Sequence, residues 1–176
     1  MNTEATIHPL QPAHLAALLA IQAACHGPAC REGAAVMARR LNDAPDTVWG
    51  ASTPAGTLQA YLLACVAPAG RLVPLHGDFD APSAAADTLY LHDLAVHPQA
   101  AGRGLGPALV RYALDTAARR GLRRAALVAL PGALGFWQRL GWAPATAPDA
   151  ATARLLAAYG DGAVGLTREW PAPTNP

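Results

Sequence analysis

Apolar residues along the chain recur with two periods, and the switches between them mark the elements. Residues 5 to 8 alternate well enough for a short first strand. Pro12 suits the first position of a helix, and Leu15, Leu18, Leu19 and Gln22 then return at helical spacing to about Cys25. "CHGPAC" breaks that pattern. A second helix is predicted from Arg31 to Leu41, stopped by "NDAPDT". "TVWGAS" and "TLQAYLLACV" read as two strands joined by a turn around Pro54 and Gly56. Residues 68 to 87 form a long segment rich in Pro, Gly, Ala and Asp, a length that is usually functional when it occurs inside a compact domain. Thr88 to Val96 is a strand. Leu105 to Arg120 is a helix with Leu105, Leu109, Tyr112, Ala113 and Ala117 on one face, closed by Gly121 at C′. "AALVAL" is a continuous apolar run, as expected of a strand covered on both faces. "GALGFWQRLG" is a short amphipathic helix. A weak strand near Trp142, a helix over Ala151 to Tyr159 and a last strand over Val164 to Trp170 complete the order. The fold class is therefore mixed α/β (α+β), built around a strand–helix–strand–helix unit from 88 to 141.

Composition narrows the function. The 176 residues, 52% of them hydrophobic, fit one domain over 1–176. Net charge is +1, and all 13 basic residues are arginine. Without a basic block, nucleic acid is not an expected partner. Without lysine, Schiff-base chemistry and a P-loop are excluded. No apolar run is long enough to span a membrane, and the start lacks the basic and apolar regions of a signal peptide. Cys25, Cys30 and Cys65 have no CxxC spacing and no companions at ligand spacing, so reduced thiols in a cytoplasmic protein without a metal are expected.

The candidate chemistry lies in "LHDLAVHPQAAGRGLG", residues 91 to 106. A strand runs into Gly102, Gly104 and Gly106 where a helix starts. The first N–H groups of a helix have no internal partner and sit at the positive end of its dipole. Glycines there let a phosphate approach, and Arg103 adds a cation, which is the logic of a pyrophosphate cradle. The spacing fits neither G-x-G-x-x-G nor Walker A.

"LHDLAVHPQAAGRGLGPALV" resembles the acetyl-CoA signature R/Q-x-x-G-x-G/A of the GNAT family of N-acetyltransferases, and "ALVALPGALGFWQRLGW" resembles that family's next strand and its FYxxxGF helix. Together they cover residues 88 to 142. The resemblance implies a mixed, mostly antiparallel sheet with helices on both faces, whose fourth and fifth strands splay to admit pantetheine. It implies acetyl-CoA as co-substrate. The backbone of Leu94, Ala95 and Val96 would pair with pantetheine, the Leu94 N–H would hold the thioester carbonyl, and Gly102, Arg103, Gly104, Leu105, Gly106 and Pro107 would wrap the pyrophosphate, Pro107 without an N–H to give. "YLHDLAVH" is similar to "HLHALAVH" in the serotonin-acetylating branch of the family, where two strand histidines lie on a proton-removal path. His92 matches the second, and Tyr90 takes the place of the first. Two positions depart from the pattern: the leading R/Q falls on Ala101, and the tyrosine that often protonates the leaving thiolate falls on Trp137.

Proton removal from an amine needs a base, and His92 is the expected one, with Tyr90 beside it. Strand alternation predicts Tyr90, His92 and Leu94 on one face and Leu91, Asp93 and Ala95 on the other, with Asp93 in a structural role. Glu32, at the start of the second helix, either meets a cationic amine or favours the helix N-terminus. His76, Asp78 and Asp80 lie in the long loop as possible lid residues. The expected activity is acetyl transfer from acetyl-CoA to the primary amine of a small molecule or peptide, by direct attack in a ternary complex. The alternative is an acyl-CoA-binding sensor or interaction domain with little turnover. Monomer and homodimer both remain open.

Overall fold

The computed structural model describes residues 5–79, 83–147 and 150–170. Seven strands form one sheet in the order β1-β2-β3-β4-β5-β7-β6. They are β1 (Thr6–Pro9), β2 (Val48–Ser52), β3 (Leu58–Ala67), β4 (Thr88–Val96), β5 (Arg124–Ala129), β6 (Ala143–Pro144) and β7 (Val164–Glu169). Only β4 and β5 run parallel, because α3 (Leu105–Arg119) crosses between them. The remaining helices are α1 (Leu15–Cys25), α2 (Ala34–Asp43), α4 (Leu134–Arg139) and α5 (Ala150–Ala158). The mostly antiparallel sheet with helices on both faces is the expected fold class. The second helix differs in position: it begins at Ala34, so Glu32 precedes it in an extended segment capped by Gly33.

Each central strand feeds two cores. On β3, Ala60, Leu62 and Ala64 pack with α3 and α4, while Tyr61, Leu63 and Cys65 pack with α1 and α2. The first core holds Leu109, Val110, Leu127, Trp137 and Trp142; the second holds Leu18, Ile21, Met37 and Leu41. Burying a large aliphatic side chain contributes about 1.5–3 kcal/mol, so this alternation fixes the strand register.

Two irregularities in β4 make the site. First, Leu63 pairs with Asp93 but Ala64 pairs with Leu91, so His92 is an extra residue, a β-bulge. The bulge breaks the expected alternation. Tyr90, His92, Asp93 and Ala95 all face α1 and α2, whereas Leu89, Leu91 and Leu94 face α3. His92 and Leu94 are thus on opposite faces, and Asp93 joins His92. Second, β4 pairs with β5 only from Thr88 to Leu91, opposite Arg124 to Leu127. From His92 onward β4 has β3 on one side and a free edge on the other. The His97 N–H donates to the Gln59 carbonyl at 2.8 Å. By alternation the Leu94 and Val96 backbone groups therefore point away from β3, along the free edge.

Close packing beneath β2 is set by Gly50. A Cβ there would come within 2.5 Å of Leu58 Cδ1 and 2.6 Å of Leu10 Cδ2, both in the α1–α2 core. Gly50→Val overpacks this corner and costs about 1–3 kcal/mol. Urea denaturation should show a lowered midpoint at unchanged slope; an unchanged midpoint would contradict the packing described.

Candidate active site

The free edge of β4 opens towards the start of α3, where three glycines act for two reasons. Gly102 and Gly104 have φ of 77° and 75°, a left-handed conformation that other residues adopt only with strain. Their α-carbons face open space. Gly106 instead lies against packed side chains, with a Cβ position 3.5 Å from Phe136 Cζ and 3.7 Å from Val96 Cγ2. The first bond of α3 runs from the Ala108 N–H to the Gly104 carbonyl, so the N–H groups of Leu105 and Gly106 have no partner inside the helix. Pro107 has none to offer. Open space, left-handed turns and uncommitted donors at the positive end of a 15-residue helix fit a pyrophosphate, and Arg103 is exposed beside them.

On the opposite face, where β4 and β5 part, a cavity of about 50 Å³ is lined by His26, Glu32, Leu75, His92, Asp93, Leu130 and Tyr159 among others. Two carboxylate–imidazole pairs meet there. Glu32 is the centre of the first. Its backbone is clasped by Gln22 of α1, whose amide donates to the Glu32 carbonyl and accepts from the Glu32 N–H, both at 2.9 Å. Its carboxylate accepts both terminal guanidinium nitrogens of Arg40, the His76 N–H at 2.7 Å and His92 Nε2 at 2.9 Å. Arg40 is fully buried and also donates to the Gly77 carbonyl at 2.6 Å. Burial pushes the Glu32 carboxyl up, but His92 and Arg40 outweigh it and hold the group at about 2. Glu32 is therefore an ionised acceptor, neither a proton-removing base nor a free partner for a cationic amine.

That assignment fixes the tautomer of neutral His92. Nε2 faces a carboxylate that can only accept, so Nε2 carries the hydrogen and Nδ1 presents its lone pair. Nδ1 is buried and has no partner. The ring is held edge-on by Phe79, with centroids 5.8 Å apart and planes at 77°.

The second pair is His26 and Asp93. His26 Nε2 lies 2.8 Å from Asp93 Oδ1, and the Tyr61 hydroxyl donates to Asp93 Oδ2 at 2.6 Å. The hydrogen bond with Asp93 raises the His26 pKa above its ordinary value, more than burial and the neighbouring Arg31 lower it. Burial, with the Asp93 charge, sends the Tyr61 hydroxyl far up, so it stays a donor.

The other expected residues fall elsewhere. Tyr90 is buried; its hydroxyl donates to Tyr159, which in turn donates to the Val73 carbonyl. Burial and this contact raise Tyr90 well above the ordinary range. Tyr90 thus meets the cavity through Tyr159 and through its ring, whose centroid lies 6.2 Å from that of His92. Trp137 packs edge-on against Phe136 and Trp142 in the α3–α4 core. In the long loop, the His76 backbone is drawn to Glu32 while Asp78 pairs with Arg39 on the surface; Asp80 lies outside the described residues. Among the described residues no group of three His, Cys, Asp or Glu is placed to hold a metal, and no helix is long and apolar enough to cross a membrane.

Sequence reasoning missed His26, Arg40, Tyr61 and Tyr159. Arg40 had a usable signal: it follows Met37 by three and precedes Leu41 on the apolar face of α2, where an arginine needs a buried anion. Arg40→Met leaves Glu32 as a buried charge without its strongest partner and should cost about 3–5 kcal/mol. Because the Glu32 pKa is depressed, its contribution to stability is complete above the ordinary carboxylate value and is lost as pH falls towards about 2. Thermal melts of wild type should lose stability over that window, and Arg40→Met should flatten the dependence. Equal acid sensitivity in both proteins would contradict it.

Comparison with known proteins agrees with this architecture. A family model described as the acetyltransferase (GNAT) family matches residues 17–142. An uncharacterised ycf52-like N-acetyltransferase of Prochlorococcus marinus is 42% identical over 50 residues, a match spanning 28% of this chain and 28% of that relative. Among solved structures, the GNAT-like decarboxylase GphF in complex with isobutyryl-CoA has a TM-score of 0.75 at 20% identity, covering 93% of this chain and 98% of its own. The loading GNATL domain of CurA from Lyngbya majuscula has 0.76 at 12%, covering 94% and 97%. The ribosomal-protein-S18-alanine N-acetyltransferase of Escherichia coli has 0.67 at 18%, covering 98% and 99%. The strand-to-helix glycine turn, the parted β4 and β5 and a family match over most of the chain lead to one conclusion: the protein belongs to the GNAT acetyltransferase family.

Proposed function

We propose that this protein is an N-acetyltransferase that moves an acetyl group from acetyl-CoA to a primary amine, with His92 as the base. The observation that carries this reading is the buried, unpartnered Nδ1 of His92, a residue that lines the cavity where β4 and β5 separate. Acetyl-CoA enters as co-substrate. Leu105 and Gly106 N–H groups, with Arg103, would receive its pyrophosphate. The outward-facing Leu94 and Val96 backbone would take the pantetheine arm, with the Leu94 N–H on the thioester carbonyl.

The division of labour follows from the bonds. Arg40 neutralises Glu32 and keeps it ionised; Glu32 orients His92 and stabilises the imidazolium once a proton arrives; His92 Nδ1 takes that proton from the attacking amine. Glu32 thus acts through His92, and Tyr90 only braces Tyr159. Nothing in this arrangement calls for a covalent intermediate.

A second reading has an observation in its favour. A cavity of about 50 Å³ has room for one or two waters and not for an acceptor, so a domain that binds acyl-CoA with little turnover remains in play. Thiol release from acetyl-CoA across a broad amine panel separates the two. Release with any amine supports the enzyme, and binding without release supports the binding module.

His92→Ala should lower kcat/KM at least ~10-fold, with CoA affinity near that of wild type. A rate unchanged at every pH would take His92 out of catalysis. Gly104→Val puts a branched side chain into the open space at the start of α3, at a left-handed φ. CoA affinity, measured by calorimetry, should fall at least about tenfold through lost hydrogen bonds to a charged group. Unchanged affinity in a folded variant would move the pyrophosphate elsewhere.

A further inference from the structure

The reaction read above leaves a proton to be supplied to the departing thiolate. Trp137, at the family motif's tyrosine position, is 7% exposed and lies in the α3–α4 core, and its indole is not an acid. Another group has to approach the thioester from the free edge of β4.

The C-terminal end of α1 lies along that edge. The Cys25 thiol donates to the Val96 carbonyl at 3.1 Å, and the next residue, His26, holds Asp93 at 2.8 Å. Two consecutive residues thus bracket Leu94, whose N–H points along the same edge. The backbone at this point is fixed: the His26 N–H donates to the Gln22 carbonyl at 2.8 Å, and Arg31 donates to the carbonyls of His26 and Ala23, each at 2.7 Å. The His26 side chain is 19% exposed, so it borders the cavity without being sealed from water, in contrast to His92 at 1%.

We propose that His26 is the general acid of the reaction, donating the Nδ1 proton of its imidazolium to the leaving thiolate, with Asp93 and Tyr61 as its positioning residues. The proposal rests on the acetyl-transfer reading. The amine nitrogen forms a bond to the acetyl carbon and gives a proton to His92. The carbon–sulfur bond then breaks, its electron pair stays on sulfur, and that sulfur takes the His26 proton. His92 releases its proton to solvent and His26 recovers one, so amine and acetyl-CoA become amide and CoA with protons conserved.

The charges around His26 support a protonated ring. Asp93 on β4 faces it directly and is braced by Tyr61 of β3; Glu32 adds a weaker attraction and Arg31 a weaker repulsion. Cys25 on α1, Cys30 in the α1–α2 connection, His92 on β4 and Tyr159 beyond α5 are the other titratable groups around this cavity among the described residues. Burial and the Asp93 charge raise the Cys25 thiol, so Cys25 is no competing source of thiolate at neutral pH. The two dyads have opposite tasks: one ring keeps a lone pair and the other keeps a proton.

The test is steady-state thiol release with acetyl-CoA and an active amine, for wild type, His26→Ala and Asp93→Asn, across pH. Calorimetric CoA affinity and circular dichroism control for folding. In wild type kcat should fall as pH rises through the raised His26 pKa. His26→Ala should lose at least about tenfold in kcat with KM for acetyl-CoA little changed, and should lack that alkaline limb. Added imidazole should restore part of its kcat, which a packing defect would not allow. Asp93→Asn should move the alkaline limb to lower pH. Kinetics of His26→Ala that keep wild-type kcat and the alkaline limb would overturn the proposal, as would a lowered kcat that imidazole leaves unchanged. A wild type that binds acetyl-CoA but releases no thiol with any amine would instead remove the acetyl-transfer reading, and this role of His26 with it.

Discussion

The buried contact between Glu32 and Arg40 is the interaction on which the acceptor side of this molecule depends. A carboxylate and a guanidinium removed from water are costly unless each finds several partners. Here they find partners from four directions. Gln22 clasps the Glu32 backbone from α1, Arg40 comes from α2, His92 from β4, and the backbone of His76 and Gly77 from the long loop. The cavity takes His26 and Glu32 from the α1–α2 connection, Leu75 from the long loop and His92 from β4, the segments that these bonds hold in place. One ion pair therefore ties together the α1–α2 connection, the loop before β4 and the bulged strand. It also sets the chemistry, because an ionised Glu32 dictates which nitrogen of His92 carries hydrogen.

The bulge at His92 is the second constraint. Without an extra residue, strict alternation would place Asp93 on the α3 side, away from His26 and Tyr61. With it, His92 and Asp93 share a face, and each meets a histidine or a carboxylate from the α1–α2 connection. The same irregularity occurs where β5 stops pairing with β4. Bulges bend and twist a strand, so a device that aims two side chains into one cavity is placed where the sheet parts and turns the Leu94 and Val96 backbone away from β3.

Much of the fold was legible in the chain because it follows from periodicity. β3, β4, α3 and β5 carry long, clean apolar patterns, and the glycines at 102 and 104 mark a turn, with φ of 77° and 75°. The third glycine differs, since Gly106 has no left-handed φ and a Cβ there would meet Phe136 and Val96 at ordinary contact distance. The site was legible in outline only. His92 and Glu32 could be singled out, but their contact spans 60 residues of sequence and depends on a bulge that no local pattern announces. His26 sits in "CHGPAC", which reads as a helix break; its partner Asp93 was assigned to the wrong face for the same reason. Tyr90 shows the converse, since motif position placed it with the base while its hydroxyl is buried and given to Tyr159.

The state of the His92 ring is the most direct check on this account. Long-range ¹H–¹⁵N NMR of selectively labelled histidine, with His92→Gln used for assignment, reports which ring nitrogen is protonated. The expected result is hydrogen on Nε2 and a bare, pyridine-like Nδ1. A neutral ring with hydrogen on Nδ1 would contradict it, because Glu32 would then not be orienting His92 and the cavity would hold no base.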